Sequence, residues 1–536
     1  MPLLHWLTRD ADIHAATHAP YRLLEELPTH SHGDKDTGNM VIQGDNLDAL
    51  KALLPYYAGK VKCIYIDPPY NTGAAHFEHY DDNLEHAQWL AMMYPRLELL
   101  KQLLRPDGFI CCHIDDSEGS YLKVLLDEVF GRSNYLSTLY VQVRYAAKTL
   151  KQDMSFHKQI EQVLVYRNSR SAIPTLPTKE SSIEKFCYYI NVDTPTAVLQ
   201  LGGKKVEVYT SDTYTIKKGA PSEAGLKEIW ATGTILDGNS SGRFFRDYLT
   251  GRYELDGLNV LYRVHGIGDD SLPYRYFTGP KRQGATKGKY FQGVPKNKLG
   301  NEGEDINTPI ENYYDLSGAF GNCRHEGGVE FRSGKKPEVL IKLILERFSS
   351  EGELVLDSFL GSGTTAAVAH KMGRRYIGVE MGEHAITHCV QRLQNVIEGE
   401  QGGISEDFGW QGGSGFRFYR LGVPVFDETG HVSPGIRFAP LAAHLWFVQT
   451  GIPYKSQAAS PFLGAHEGVG YYLLYNGILG DKRPNGGNIL TGKILTSLTA
   501  HNGEKVIFGE GCNLSTERLQ AERITFRQIP YEIKAR

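Results

Sequence analysis

Short apolar runs alternate with longer segments of helical periodicity in the first third of the chain. Runs of about six apolar residues suit buried strands, whereas apolar side chains three and four positions apart suit helices. We therefore predict strands and helices in strict alternation, with Pro55 ending the first helix and Pro106 stopping the second. In chain order these elements are residues 39–44, 47–54, 61–66, 87–104, 109–114 and 121–130. The alternation indicates an α/β fold with a doubly wound, mostly parallel sheet.

Two further strands are predicted at 136–144 and 160–167, after which the pattern is lost. Over 171–330, Gly, Tyr, Lys and Ser dominate and helical periodicity is absent, which indicates short strands and loops. Helices and strands then alternate again, at 337–348, 354–356, 376–379 and 384–397, and a further helix runs from the end of a loop at 357–365 to Met372. The predicted domains are an N-terminal extension (1–35), two halves of an α/β core (36–170 and 331–400), a domain inserted between them (171–330) and a small α+β C-terminal domain (401–536).

The composition is that of a globular protein, with 41% hydrophobic and 22% charged residues. Seven cysteines in 536 residues do not make a disulfide scaffold. The triplet Cys111-Cys112-His113 lies within an apolar run and has no CxxC partner, so we predict a buried strand there and no metal. No apolar run reaches the length of about 18 residues that a membrane helix needs, and the N-terminus lacks a signal pattern. We expect a cytoplasmic, reduced protein with no membrane partner.

Basic residues are concentrated in one stretch, although the net charge of −4 is uninformative. Residues 271–298 hold seven lysines and arginines and no acid, interleaved with five aromatic side chains: Tyr274, Tyr276, Phe277, Tyr290 and Phe291. Together these residue types suit phosphate neutralisation and base stacking, so the stretch predicts a nucleic-acid contact. A solvated loop without a ligand is the alternative that the sequence leaves open.

A glycine-rich loop, Asp357-Ser-Phe-Leu-Gly-Ser-Gly-Thr-Thr365, follows the strand predicted at 354–356. Gly361 and Gly363 allow the backbone to turn tightly and to approach a ligand. The spacing fits neither the phosphate loop nor the dinucleotide fingerprint. Glu380 ends the next strand, at the position where an acid can hold a ribose diol. A ligand with a cationic end and a ribose suits both acids, and S-adenosylmethionine has these two groups.

A second loop, Asp67-Pro-Pro-Tyr70, follows the strand at 61–66. Its prolines fix the backbone and donate no N–H, so the loop is stiff and presents carbonyl groups. An amine conjugated to a base is a poor nucleophile unless acceptors bind its N–H groups and localise the lone pair on nitrogen. Asp67 and the Pro68 carbonyl can accept those bonds, and Tyr70 can stack on a base taken out of a duplex. The loop therefore predicts methylation of an exocyclic amine, with Asp67, Pro68, Pro69 and Tyr70 as catalytic residues.

The two loops together resemble those of the amino-methylating DNA methyltransferases. Their order, with the catalytic loop first, a variable domain next and the cofactor loop last, is similar to the circularly permuted beta group. Longer segments are similar to the modification (Mod) subunits of type III restriction-modification systems: Asn39-Met-Val-Ile-Gln-Gly-Asp-Asn46, Ile64-Tyr-Ile-Asp-Pro-Pro-Tyr-Asn-Thr-Gly73, His113-Ile-Asp-Asp116 and Phe331-Arg-Ser-Gly-Lys-Lys-Pro337. The resemblance covers 36–170 and 325–400 and is weaker elsewhere. In this family, aspartate before Pro-Pro-Tyr favours adenine over cytosine.

The resemblance implies that S-adenosylmethionine is the cofactor, and it implies a role for each matching residue. The residues that would line the cofactor are Asp67, Asp357, Phe359, Gly361, Gly363 and Thr364. Glu380 would bind its ribose, and Asp45 and Asn46 would meet its adenine edge. Lys336 and Pro337 match the motif at the methionine end, just before a helix whose N-terminus favours a carboxylate. Phe156 lies where the family often places a contact to the flipped base.

We therefore predict an adenine-N6 methyltransferase that acts on duplex DNA with base flipping. Target recognition is expected in 171–330, with Lys281, Arg282, Lys287 and Lys289 contacting the DNA backbone. The resemblance also implies a restriction subunit with helicase and nuclease activity as partner, and it leaves a homodimer open. The alternatives are a cytosine-N4 or RNA amino-methyltransferase and a DNA-specificity subunit with an inert core, against which the intact Asp67–Tyr70 loop argues. A nucleotide-dependent oxidoreductase would need the missing fingerprint.

Overall fold

The computed structural model describes residues 3–72, 84–146, 156–180, 182–231, 240–285, 288–299, 305–331, 334–427, 432–455, 460–478, 481, 483 and 485–529. The chain divides into two compact units. The core unit consists of Met1–Thr175 with Glu311–Arg536, and the inserted unit consists of Leu176–Ile310. Within the described ranges, no helix combines the length and the apolar character that crossing a membrane requires.

The first segment of the core unit contains seven strands and five helices among its described residues. The strands are β1 (Arg22–Glu26), β2 (His32–Gly33), β3 (Met40–Gln43), β4 (Val61–Ile66), β5 (Leu104–Ile114), β6 (Tyr135–Gln142) and β7 (Ile160–Arg167). The helices are α1 (Arg9–Asp12), α2 (Ala15–His18), α3 (Asn46–Tyr57), α4 (His86–Leu103) and α5 (Gly119–Leu126), which continues as a π-helical turn over Asp127–Gly131. Every predicted strand and helix of this segment is present.

The prediction that Pro55 ends its helix was wrong, whereas α4 does end before Pro106, at Leu103. Pro55 lies inside α3, which continues to Tyr57. Because Pro55 is in the last turn, its missing N–H removes one hydrogen bond near an end that is already incomplete. Pro106 does not lie in a loop between α4 and a strand, since β5 begins at Leu104 and contains it. The register of β5 against β4 shifts at this point, and the irregularity accommodates a residue that cannot donate to the ladder.

The inserted unit is built mainly from short antiparallel strands, as its sequence predicts. They are β8 (Thr178–Glu180), β9 (Tyr188–Val192), β10 (Ala197–Leu201), β11 (Lys204–Tyr209), β12 (Tyr214–Lys218), β13 (Lys227–Trp230), β14 (Leu261–His265), β15 (Tyr274–Thr278), β16 (Lys289–Gln292) and β17 (Asp305–Asn307). Short helices occur at α6 (Ser240–Phe244) and α7 (Tyr253–Asp256). The main sheet has the order β10-β11-β14-β15-β16-β13, and two ribbons pair β9 with β12 and β8 with β17.

The second segment of the core unit returns to alternating helices and strands. The strands are β18 (Tyr313–Asp315), β19 (Leu354–Asp357), β20 (Arg375–Glu380), β21 (Gly415–Pro424), β22 (Phe462–His466), β23 (Val469–Leu473), β24 (Ile489–Leu490), β25 (Glu504–Gly509), β26 (Gly511–Cys512) and β27 (Ile524–Gln528). The helices are α8 (Ser317–Asn322), α9 (Glu338–Phe348), α10 (Thr364–Lys371), α11 (Gln391–Ile397), α12 (Phe438–Thr450), α13 (Gly492–Ser497) and α14 (Thr516–Ala521).

One large sheet joins the two segments of the core unit, in the order β1-β21-β3-β20-β19-β4-β5-β7-β6-β18. The six strands from β21 to β5 run parallel to their neighbours, and β7 is antiparallel to both β5 and β6. The predicted α/β class with a mostly parallel sheet is confirmed. Because β21 pairs with β3, the sheet also extends into the region predicted as a separate C-terminal domain.

The core lies on both faces of this sheet, because side chains of each strand point alternately to either side. In β4, Ile64 and Ile66 belong to one apolar cluster with α3 and α4, whereas Cys63 and Tyr65 belong to another with α9 and α10. Helices therefore cover both faces, and the carboxyl ends of the parallel strands remain as the accessible edge.

Candidate active site

A cavity of about 830 Å³ opens at the carboxyl ends of the parallel strands of the core unit. The strands β3, β20, β19 and β4 are neighbours, so the loops that follow them meet at one edge of the sheet. The predicted site residues that line the cavity are Asp45, Asn46, Asp67, Pro68, Pro69, Tyr70, Lys336, Phe359, Gly361 and Glu380. Pro337, Asp357, Gly363 and Thr364 lie in the same loops but do not line it.

Asp67 lies just after β4 and presents two different oxygens. Its Oδ2 is 2.7 Å from Lys336 Nζ, whereas Oδ1 is buried and has no hydrogen-bond partner among the described residues. Burial lowers the pKa of Lys336, but the carboxylates of Asp67 and Glu161 outweigh that effect and the pKa is raised. Lys336 is therefore a cation, and one Asp67 oxygen remains available as an acceptor.

Other side chains hold the rest of the loop in place. The Trp89 indole N–H donates to the Pro69 carbonyl at 2.8 Å. The Tyr70 hydroxyl donates to Glu161 Oε2 at 3.0 Å. Asn71 has a positive φ of 59° and donates from Nδ2 to Glu118 Oε1 at 2.7 Å. Because the Pro69 carbonyl is already bonded, the Pro68 carbonyl is the one that the loop can offer to a ligand.

Glu380, at the end of β20, is tied to the glycine-rich loop. Its Oε2 accepts from Gly361 N at 2.7 Å, and its Oε1 accepts from Met381 N at 2.8 Å. Burial would raise its pKa, but His384 and the backbone N–H groups of Gly382 and Gly361 outweigh that effect and the pKa is lowered. Glu380 is thus an anion at the cavity wall, as a ribose-binding acid should be.

The glycines of the loop have conformations that L side chains rarely adopt. Gly361 has φ +57° and lines the cavity, and a Cβ added there would meet nothing closer than the Phe359 carbonyl at 4.0 Å. A side chain at 361 would therefore project into open space. Gly363, with φ +81°, begins α10 and approaches Cys389, whose Cα would lie 3.3 Å from an added Cβ. Gly361 is consistent with ligand contact, whereas Gly363 serves loop geometry and packing.

Asp357 faces its own loop rather than the cavity. Its Oδ1 accepts from Phe359 N at 2.9 Å and its Oδ2 accepts from the Thr365 hydroxyl at 2.6 Å. Burial raises its pKa to about 7. Since both oxygens are bonded within residues 357–365, the predicted contact of Asp357 with the cofactor is replaced here by a role in shaping the loop.

Asp45 and Asn46 begin α3 and share one partner that sequence reasoning missed. Arg96, on α4, donates from Nη2 to Asp45 Oδ2 at 3.0 Å and from Nε to Asn46 Oδ1. Asn46 Nδ2 in turn donates to the Ser358 carbonyl at 2.7 Å. These contacts connect the end of β3 with the glycine-rich loop, so the two predicted cofactor segments form one surface.

The N-terminus of α9 does bind a carboxylate, but the carboxylate belongs to the protein. Glu326 Oε2 accepts from Glu338 N at 2.9 Å, directly after Pro337. Lys336 points to Asp67 instead, and its carbonyl accepts from the Thr364 hydroxyl at 3.2 Å. The predicted use of this helix end for the methionine carboxylate is therefore corrected, and Lys336 connects the catalytic and cofactor loops.

Phe156 and the acidic pair after β5 also have definite places. Phe156 is 84% exposed and is not among the residues that line the cavity. Asp115 accepts from Ser117 N at 2.7 Å, and Asp116 pairs with Lys158 at 2.7 Å. The pair thus forms an acidic turn after β5, and Asp115 lines the cavity. The described residues contain no group of three or more acids, histidines or cysteines arranged to hold a metal ion.

The basic stretch of the inserted unit is only partly available to a ligand. Its five aromatic residues lie on β15 and β16, where four are buried, so the predicted base stacking by this set is corrected. Lys289 pairs with Glu228 at 2.6 Å and lies 4.8 Å from the Trp230 ring centre. Lys281 and Arg282 are exposed between the two strands, and Lys287 lies outside the described residues.

The geometry agrees with what comparison with known proteins shows. A family model described as DNA methylase, for N6 and N4 amino-methyltransferases, matches residues 61–391. This match spans both loops and more than half of the chain. The chain therefore belongs to the DNA methylase family of S-adenosylmethionine-dependent enzymes.

Within that family the chain is similar to Mod subunits of type III restriction-modification systems. It is 32% identical over 433 residues to a "Probable type III restriction-modification enzyme HindVI Mod subunit" from Haemophilus influenzae, which covers 75% of this chain and 56% of the relative. It is 28% identical over 448 residues to the EcoP15I Mod subunit from Escherichia coli, covering 71% of this chain and 64% of the relative. The chain thus spans less than two thirds of the length of these relatives.

Among solved structures, the PvuII DNA methyltransferase, which is cytosine-N4-specific, matches with a TM-score of 0.33 and 13% sequence identity. The match covers 66% of this chain and 86% of that one.

Proposed function

We propose that this chain transfers a methyl group from S-adenosylmethionine to N6 of adenine in duplex DNA. The observation that carries the proposal is the pairing of two loops in one cavity. Asp67 offers a buried oxygen without a partner in the described part of the chain, and the glycine-rich loop at the same sheet edge is hydrogen-bonded to an anionic Glu380. An acceptor for an amine and a surface for a ribose-bearing cofactor are the two requirements of this reaction.

The residues present fit the cofactor. Gly361 leaves open space at the cavity wall, and Glu380 is placed for a ribose diol. Asp45 and Asn46, held by Arg96, would meet the adenine edge, and Phe359 would lie beside it. When bound, S-adenosylmethionine supplies an activated methyl group on a sulfonium.

The catalytic loop would act on the base. Asp67 Oδ1 and the Pro68 carbonyl would accept the two N–H bonds of the exocyclic amine, so that its lone pair is localised on nitrogen. Lys336 fixes Oδ2 and thereby the direction of Oδ1. Tyr70 would stack on the extruded base. The Lys336–Asp67 pair and the Trp89–Pro69 hydrogen bond already exist in the folded chain, so the loop would need little reorganisation during the reaction.

We further infer a circularly permuted methyltransferase core with target recognition in the inserted unit. The catalytic strand β4 precedes the inserted unit in the chain, whereas its neighbour β19 follows it. The similarity to Mod subunits favours a restriction-modification system, in which a restriction subunit would be the partner.

The test is expression of the chain in cells that lack DNA methylation, followed by sequencing with modified bases identified. The proposal predicts N6-methyladenine at one recurring sequence, and none in cells that express Asp67→Ala. Methylation at N4 of cytosine would show that the base was assigned wrongly. Absence of any modified base, with S-adenosylmethionine still bound by the purified chain, would indicate an inert core.

A further inference from the structure

Glu161, on β7, is a half-buried acid at the cavity wall that the proposed reaction does not use. It lines the cavity beside Tyr70 and Lys336. Burial would raise its pKa, but the Lys336 charge, His113 and the Tyr70 hydroxyl hold the pKa at about 2. A carboxylate removed from water loses much of its hydration, so it is stable there only because of these partners.

Glu161 is also in contact with a buried histidine, His113. His113, on β5, is fully buried, and its Nε2 lies 2.9 Å from Glu161 Oε2, although it is not aligned for a hydrogen bond to any described residue. Its Nδ1 lies 2.8 Å from the Tyr65 hydroxyl on β4. Three adjacent strands thus contribute Tyr65, His113 and Glu161 to one polar chain that runs through an apolar layer and ends at Tyr70.

Two contacts constrain the Tyr70 ring, one at its backbone end and one at its hydroxyl end. The backbone holds its Cα in the stiff Pro-Pro loop, and Glu161 holds its hydroxyl at 3.0 Å. Lys336 Nζ lies over the ring, 4.9 Å from its centre. The His113 ring also lies 6.1 Å from the Tyr70 ring. Because Tyr70 lines the cavity, a base that enters could stack only on the face that Lys336 does not cover.

We propose that Glu161 is a positioning residue, which holds Tyr70 in the orientation that receives the extruded base, and that His113 holds Glu161. The inference rests on the proposed function, since it concerns the same site. It differs from simple charge balance for Lys336, because it requires that Glu161 act through the Tyr70 hydroxyl.

The test is a double-mutant cycle between Glu161→Ala and Tyr70→Phe in the full chain. Turnover is measured on a duplex with the recognition sequence found by modified-base sequencing. Base extrusion is measured on the same duplex with 2-aminopurine, which has no N6 amine, in place of the target adenine. We expect Glu161→Ala to lower kcat about 100-fold, as misplaced contacts do, and to reduce the change in 2-aminopurine fluorescence on binding. KM for S-adenosylmethionine should stay within about twofold, because uniform cofactor binding is untouched.

The remaining variants separate the roles. The double variant should be no slower than Glu161→Ala, since Tyr70→Phe removes the group through which Glu161 acts. Glu161→Gln keeps an acceptor and should retain most of the fluorescence change, and it also serves if the alanine variant does not fold. Glu353→Gln, which removes a carboxylate paired with Arg105 away from the cavity, is the matched control.

Multiplicative losses in the double variant, or an unchanged fluorescence response in Glu161→Ala, would overturn the inference. A parent chain that methylates no duplex would contradict the proposed function together with it. An active parent with an unaltered Glu161→Ala variant would contradict the role of Glu161 alone.

Discussion

Asp67 and Asp357 follow the same design in sequence but have different surroundings. Each ends a buried parallel strand, and the two strands, β4 and β19, are neighbours. Asp67 keeps one oxygen without a partner in the described residues and faces the cavity. Both carboxylate oxygens of Asp357 accept hydrogen bonds from its own loop. In this pair, the acid whose own loop leaves one oxygen without a donor can bind a ligand, whereas the acid whose loop supplies donors to both oxygens shapes that loop.

Asp67→Ala should have the largest effect on the reaction. Losing the acceptor should cost about 3–4 kcal/mol of transition-state stabilisation, by analogy with other lost polar catalytic contacts. Single-turnover methylation measures this loss, and circular dichroism checks that the fold is intact. Near-normal turnover of the variant would make Asp67 as architectural as Asp357 and would remove the comparison.

Glu380→Ala tests the cofactor side of the same edge. Removing a hydrogen-bonded charge should weaken S-adenosylmethionine binding by about 1–3 kcal/mol, while DNA binding should change little. Titration calorimetry measures the cofactor affinity. Because Glu380 also accepts from Gly361, a purely structural role would appear as equal affinity with a lower unfolding midpoint.

Ionisation of Asp357 should make the free energy of unfolding depend on pH. Its folded pKa of about 7 exceeds the value of an ordinary aspartate, so the folded state binds the proton more tightly than the unfolded state. Its contribution to stability is complete below about pH 4 and is lost as pH rises to about 7, by at most about 1.4 kcal/mol per pH unit. Asp357→Asn, which cannot ionise, should therefore gain stability relative to the parent over this range in denaturant unfolding. A constant difference between the two chains would contradict the assignment.

The basic residues of the inserted unit also divide into exposed ones and ones that already have a partner. Substitutions there should have the smallest effect of those predicted. Lys281→Ala with Arg282→Ala should weaken DNA binding and reduce its salt slope by about two, the value for two lost phosphate contacts. Lys289→Ala is the matched control, since Lys289 already pairs with Glu228. Equal salt slopes for all three chains would show that 271–298 is a solvated loop and that recognition lies elsewhere.

The strands and helices of the core unit were predictable because their periodicity follows from burial. The site residues were predictable only where several of them lie together in one loop of the sequence. Glu161, His113 and Arg96 act across elements that are distant in sequence, and periodicity does not say which polar side chains meet. A signal was present nonetheless, since Glu161 lies in the strand Ile160–Arg167 and Arg96 lies among apolar residues of α4. A charged residue in such a place needs a partner.

The basic stretch was interpreted wrongly in part because composition alone was used. Tyr276-Phe277 and Tyr290-Phe291 are adjacent pairs on two paired strands, so each pair points to both faces of the sheet. Phe277 and Tyr290 are buried in one apolar cluster, and Tyr276 and Phe291 are buried in another. Strand pairing over 171–330 could not be read from a sequence without clear turns or periodicity, so aromatic residues of a core resembled a stacking surface.

The ribbon of β8 and β17 has a consequence for how such a protein can change over generations. Thr178–Glu180 pairs with Asp305–Asn307, so the first and last residues of the inserted unit lie close together. Insertions between closely spaced ends leave the surrounding backbone undisturbed. The 135 residues from Leu176 to Ile310 can therefore diverge, lengthen or be exchanged as a cassette, while the register between β4 and β19 stays as it is. If the inserted unit carries target recognition, as proposed, a new DNA sequence preference can arise there without any change at the catalytic edge.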